Sequence, residues 1–136
     1  MRILFVTSEA FPLIKTGGLA DVSGSLPAAL KKLKHDVRIL IPAYPAVLSK
    51  IINSRYLATL SNLPNVGAVD IILGEMPDTG VPVMAIQSPT LYERDGGPYV
   101  DKNGKDWQDN AIRFGTLSLV AAILSSEDSP LKDWAP

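Results

Sequence analysis

Lys15-Thr16-Gly17-Gly18-Leu19-Ala20-Asp21-Val22 is the stretch that decides the fold. Before it, Ile3-Leu4-Phe5-Val6 is a short apolar run of β-rich composition and reads as a strand. After it, Leu19, Val22, Leu26, Leu30 and Leu33 recur at spacings of three and four and read as a helix. Two glycines, a lysine and a carboxylate therefore stand where a strand turns into a helix, a place suited to anions. Glycines let a ligand approach the backbone closely. The first helical N–H groups lack intrahelical partners and carry the positive end of the macrodipole. A diphosphate fits such a turn, and Lys15 adds a mobile positive charge. The alternative is that Gly17 and Gly18 serve only to make the turn.

Downstream, Asp36-Val37-Arg38-Ile39-Leu40-Ile41 reads as a second strand stopped by Pro42 and Pro45, which gives a parallel βαβ unit. Pro27 falls inside the helical pattern and predicts a kink or a helix in two pieces. Residues 46–65 are open between helix and strand. Val69-Asp70-Ile71-Ile72-Leu73 and Val81-Pro82-Val83-Met84-Ala85-Ile86 read as a hairpin around Met76-Pro77-Asp78-Thr79-Gly80, with Pro82 near an edge. A long polar loop from Ser88 to Asp106 carries Tyr92 and Tyr99, and a length of that kind points to function or disorder. Asp106 and Asp109 open a last helix to about Ser125, apolar on two faces and expected to be deeply packed. The tail Glu127 to Pro136 reads as a connector.

Composition narrows the function. The chain has 136 residues, 46% hydrophobic and 20% charged, enough for one globular domain with a core. Thirteen basic and fourteen acidic residues leave a formal charge of -1, which implies no overall attraction to nucleic acid or an anionic membrane. No cysteine is present, which excludes disulfides, a thiolate zinc site and a cysteine nucleophile and agrees with a cytoplasmic setting. The apolar start is too short for a signal peptide, and the longest apolar stretch, Leu117 to Leu124, is far shorter than a membrane span. Gly17, Gly18 and Gly24 do not make G-x-G-x-x-G, the acid that would bind a ribose is misplaced, and no P-loop occurs. The turn is a phosphate site of another kind.

Ser8-Glu9-Ala10-Phe11-Pro12-Leu13-Ile14-Lys15-Thr16-Gly17-Gly18-Leu19-Ala20-Asp21-Val22 resembles the N-terminal signature of bacterial glycogen synthases and plant starch synthases. Leu26-Pro27-Ala28-Ala29-Leu30, Leu40-Ile41-Pro42-Ala43-Tyr44-Pro45, Leu91-Tyr92-Glu93-Arg94-Asp95-Gly96-Gly97-Pro98-Tyr99 and Asp109-Asn110-Ala111-Ile112-Arg113-Phe114 are similar to that family in order and spacing. The resemblance implies an α/β fold: a Rossmann-like parallel sheet with an added hairpin, forming the N-terminal portion of a two-domain GT-B glycosyltransferase. It implies transfer of glucose, with retention, from ADP-glucose to the non-reducing end of an α-1,4-glucan, with no metal or redox cofactor. Lys15 matches the lysine used at the donor, Gly17 and Gly18 the turn facing the donor phosphates, and Tyr99 a tyrosine lining the donor site. Asp21 lies within the motif, where it either joins the site or only stabilises the helix start. No catalytic residue is assigned within these 136 residues. The family's H-x-H-D-W strand, its phosphate-holding arginine and lysine and its second, nucleotide-binding domain belong to sequence beyond residues 1–136. The chain is thus expected to be the front part of an enzyme that works with the rest of its own chain.

Three further readings rest on the residues. Leu33-Lys34-His35 stands where the family usually has a C-capping glycine, which leaves that turn less well determined. Glu9 follows the first strand at the carboxyl edge of the sheet and is either site-lining or a surface carboxylate. Arg113, four residues after Asp109, is expected to pair with it. Two other functions stay in view: a non-catalytic module binding a phosphorylated ligand, and a transferase of the same fold using a different sugar nucleotide.

Overall fold

A computed structural model describes residues 1–136. The elements run β1 (Arg2–Val6), α1 (Gly18–Lys32), β2 (Asp36–Pro42), α2 (Pro45–Lys50), β3 (Ile52–Leu63), β4 (Gly67–Glu75), β5 (Pro82–Gln87), α3 (Pro89–Tyr92) and α4 (Asn110–Leu124). They build one five-stranded sheet in the order β1-β2-β5-β4-β3. β1, β2 and β5 are parallel, whereas β4 is antiparallel to both β5 and β3. The α/β reading holds, with the sheet mixed and not wholly parallel.

Pro82 is not at an edge. It opens β5, the middle strand of the sheet, opposite Glu75, and the first residue of a strand is where a missing N–H costs least. The middle of β5, Val83 to Ile86, is completely buried, as a strand covered on both faces requires. Residues 46–65, open in the sequence, resolve into most of α2 and all of β3. The strand was illegible because its pairing with β4 shifts register between Ile52 and Arg55, Tyr56 and Ala58, and Leu60 and Leu63. Asn53 and Asn62 take positive φ within two of those shifts, and each break resets the inward-outward alternation.

The first helix has the predicted period but not the predicted face. Ala20, Ser23 and Pro27 point inward, while Leu19, Val22, Leu26 and Leu33 stand 43–69% exposed. Small residues face the chain because the backbones approach so closely there. A Cβ on Gly24 would drive into the Phe11 carbonyl oxygen, and the Phe11 amide donates to the Ala20 carbonyl at 2.9 Å. α1 runs as one helix through Pro27, not in two pieces.

Its C-terminus is fully formed without a glycine. Lys34 takes the left-handed conformation (φ 67°), the His35 amide donates to the Leu30 carbonyl at 3.1 Å, and the Lys34 amide to the Lys31 carbonyl at 3.0 Å. This is the Schellman pattern. A left-handed side-chain-bearing residue costs about 1–2 kcal/mol, so Lys34→Gly is expected to raise stability by about 0.5–1 kcal/mol after the extra entropy of unfolded glycine is subtracted. A urea midpoint that fails to rise would contradict this account of the cap.

α4 packs against β1 and β2 along one stripe: Arg113, Thr116, Leu117, Val120 and Leu124. The second apolar face expected for it is only half covered, with Ile112 and Gly115 exposed. The tail is no loose connector. Trp134 is buried, its indole N–H donates to Asp36 at 2.9 Å, and the Arg38 guanidinium lies over its ring.

Candidate functional site

The parallel strands place the loops after β1, β2 and β5 on one edge, the carboxyl edge, where open α/β sheets bind ligands. Those loops bring Ser8 and Glu9, Tyr44, and Tyr92. Tyr44 and Tyr92 meet edge to face, with ring centroids 6.0 Å apart. Burial drives both hydroxyls well above the ordinary tyrosine range, although the nearby Arg113 guanidinium opposes this. The Tyr44 hydroxyl is buried without a hydrogen-bond partner.

Of the predicted residues, Lys15 and Asp21 meet directly. The Lys15 ammonium lies 2.8 Å from both Asp21 carboxylate oxygens. The two side chains are 47% and 55% exposed, and a pair this open to water contributes little to the fold. Asp21 instead holds the ammonium at the mouth of α1. Gly17 is the helix N-cap, with φ -156° and ψ -161°, and no side chain caps it. The Gly18 and Leu19 amides make no hydrogen bond within the chain. They point where an anion would be received.

The two glycines are not explained by turn-making. Neither has a positive φ, and a Cβ built at Gly17 or Gly18 meets nothing within 4 Å. The fold tolerates a side chain at both positions, so what their bareness leaves clear is the space in front of the backbone. Gly24 is the opposite case, a glycine required by contact with Phe11. Gly17→Ala is therefore expected to leave the melting temperature nearly unchanged while weakening anion binding. Gly24→Ala is expected to cost about 1–3 kcal/mol of stability through overpacking. Thermal melts of the two variants, with nucleotide titration of the first, check the contrast. A large loss of stability in Gly17→Ala would return that glycine to a purely structural role.

Tyr99 reaches the same edge from the long loop. Its hydroxyl lies 2.7 Å from the Ser8 hydroxyl, and its ring rests on Phe114 at 5.6 Å. Burial raises its pKa, the Ser8 hydrogen bond works the other way, and the Glu9 carboxylate adds to the rise.

The loop is ordered by residues whose roles the sequence hid. Arg113 does not pair with Asp109. It is 1% exposed and points inward, donating from Nε to the Leu91 carbonyl at 2.8 Å and from Nη1 to the Pro98 carbonyl at 2.7 Å and to Asn110 at 2.8 Å. Burial lowers its pKa. Asp109 is taken bidentately by Arg94, which holds its carboxyl below the usual range and stacks on Trp107. Asn110 and the Trp107 amide both donate to the Tyr99 carbonyl. Trp107 and Tyr92 are thus loop anchors, and His35 lies in the cap of α1, away from the site.

Glu9 is neither exposed nor open to a ligand. At 2% exposure its carboxylate accepts from the Thr16 amide at 3.2 Å, the Thr16 hydroxyl and the Gly17 amide at 3.3 Å. The Gly17 N–H, predicted to face a phosphate, is already occupied from inside. Beside the turn, reaching it at Ile14, a cleft of about 460 Å³ opens between Tyr44, Pro45, Tyr92, Arg94 and Gly96. The Lys15 and Gly18 corner itself is an open face.

The family model for the starch synthase catalytic domain matches residues 2–135. The chain belongs to this family. Among family members, the glycogen synthase of Paramagnetospirillum magneticum is 51% identical over 137 residues, taking in 100% of this chain and 28% of that protein. The glycogen synthase of Nitrosomonas europaea is 50% identical over 138 residues, with 99% and 28% covered. The catalytic domain of starch synthase IV from Arabidopsis thaliana, solved bound to ADP and acarbose, superposes with a TM-score of 0.70 at 27% identity, covering 89% of this chain and 24% of that one. This starch synthase family segment therefore spans a little over a quarter of the length of the curated relatives it matches. No helix in it is long and apolar enough to cross a membrane.

Proposed function

We propose that this chain is the N-terminal part of the catalytic domain of a glycogen or starch synthase, with a second, nucleotide-binding domain in the remainder of the protein. The whole moves glucose from ADP-glucose to the non-reducing end of an α-1,4-glucan with retention. Residues 1–136 supply one wall of the donor site, and a cytoplasmic setting goes with that reading. One observation carries it. The glycine turn at the carboxyl edge leaves its outer face bare, with the Gly18 and Leu19 amides unpartnered and the Lys15 ammonium held beside them by Asp21. Tyr99 lines the same edge. Negative charge grows on the departing diphosphate during glucosyl transfer, so fixed N–H donors and a cation at this corner favour the transition state as well as the bound donor. The ADP and acarbose in the Arabidopsis structure support a nucleotide and a glucan as ligands.

Nothing at the turn reads the base, which keeps a second reading in view: another sugar-nucleotide transferase of the same fold. Glucose incorporation into glycogen from ADP-glucose and from UDP-glucose, by the full-length protein and by residues 1–136 alone, decides between them. The expected result is transfer from ADP-glucose by the full-length protein and none by the segment. Preference for UDP-glucose would overturn the choice of donor, and activity in the segment would overturn its role as one wall of a larger site.

A further inference from the structure

We propose that Glu9 is a positioning residue for the donor, an inference that rests on the function proposed above. Its buried carboxylate clamps the Thr16-Gly17 turn from inside, so that only the Gly18 and Leu19 amides and Lys15 are presented to the diphosphate. The geometry gives the carboxylate little else to do. No Lys, Arg or His forms an ion pair with it, since the two ion pairs of the chain are Lys15 with Asp21 and Arg94 with Asp109. A buried carboxylate without a cation is costly unless hydrogen bonds answer it, and here the answer comes from the turn itself.

The clamp is anchored on its other side. The Thr7 hydroxyl donates to the Glu9 carbonyl at 2.8 Å and lies 2.9 Å from the Ser23 hydroxyl on α1, with both Thr7 and Ser23 buried. Glu9 is therefore fixed to β1 and α1 while its side chain fixes the segment between them. Burial raises the pKa of the Tyr99 and Tyr44 hydroxyls, and the Glu9 charge adds to the rise at both. With Glu9 filling the inner amides, a diphosphate is held off Thr16 and Gly17 and received one step further along, at the first turn of α1.

The test uses Glu9→Gln in the full-length protein. Glutamine keeps the size of the side chain but turns an acceptor into an N–H donor facing other N–H donors. Three quantities are read: hydrogen exchange across residues 10–20 without ligand, the Kd for ADP by calorimetry, and the separate KM values for ADP-glucose and glucan. The expected result is faster exchange in the turn, a Kd for ADP and a donor KM raised about tenfold, the worth of one hydrogen bond to a charged group, and an unchanged glucan KM. Should Glu9→Gln fail to fold, Thr16→Val removes only the hydroxyl donor at an exposed position, shifts the same quantities in the same direction, and is rescued by Thr16→Ser. Tighter ADP binding in Glu9→Gln would overturn the proposal, because it would make the carboxylate a competitor for the donor's amides. Unchanged donor constants would overturn it too, leaving a structural carboxylate. A wild-type protein that binds no ADP would instead overturn the proposed function on which the inference stands.

Discussion

Lys15→Ala in the full-length protein is expected to reduce kcat/KM for ADP-glucose by about ten- to a hundred-fold, since a hydrogen bond between charged groups is worth about 1.5–3 kcal/mol. The structure adds a second reason for a large effect. Lys15 is the partner of Asp21, so its removal leaves a bare carboxylate facing the position of the diphosphate. How the loss divides is informative. A rise in donor KM alone means that the ammonium grips the ground state, whereas a fall in kcat means that it meets charge developing on the leaving group. Asp21→Asn separates the two residues. If Asp21 acts only by holding Lys15, the double variant loses little more than Lys15→Ala, because neighbours that share one function are not additive. Steady-state kinetics with donor and glucan varied separately supply the measurement, and unchanged kinetics in Lys15→Ala would remove the turn from the donor site. Stability should hardly move, because the pair stands in water.

Arg113→Ala is expected to cost stability instead, by about 3–5 kcal/mol, because three neutral acceptors inside the protein lose their donor and each buried polar group left unsatisfied costs about 1–3 kcal/mol. The carbonyls of Leu91 and Pro98 and the side chain of Asn110 would lose their donor inside the protein, and the rings of Tyr92, Trp107 and Phe114 would lose the guanidinium between them. Arg113→Lys keeps the charge but not the planar fork that reaches the two carbonyls at once, so it should recover part of the loss and not all. The denaturation midpoint of the full-length protein tests the order wild type, lysine, alanine. Hydrogen exchange in residues 91–99 should rise in the same order, because Arg113 and Asn110 tie that loop to α4 and place Tyr99 against Ser8. An alanine variant within about 1 kcal/mol of wild type would show that the loop holds itself.

The difference between these expectations follows from where each residue's partners lie along the chain. The Lys15 to Val22 turn, the strand before it and the helix after it are local, and spacing and residue type were enough to place them. The four uninterrupted residues Val83 to Ile86 were likewise legible as a strand. β3 was not, because bulges at Asn53 and Asn62 break its alternation and only pairing with β4 makes it a strand. The apolar stripe of α1 misled for a related reason. A period of 3.6 reveals that a helix has two faces, but which one turns inward depended on how near the Phe11 backbone could come, and Ala20, Ser23 and Gly24 permitted that approach where leucines would not.

Lys15, Gly17, Gly18, Asp21 and Tyr99 were named from the sequence as candidates for one site, and the turn contacts among the first four span a few residues. The hydrogen bond that brings Tyr99 to this edge spans 91 residues, from Ser8, and no local pattern carries it. The same holds for Arg113, whose spacing from Asp109 suggested an ion pair while its side chain answers carbonyls 15 and 22 residues away. What the sequence determined by itself was the chemistry of the turn, because charge, glycine and helix start are properties of consecutive residues. What only the tertiary structure decided was which of those groups remain free for a ligand. Glu9 consumes the Gly17 amide from inside the fold, and the satisfaction of a buried carboxylate is settled only when the chain closes around it.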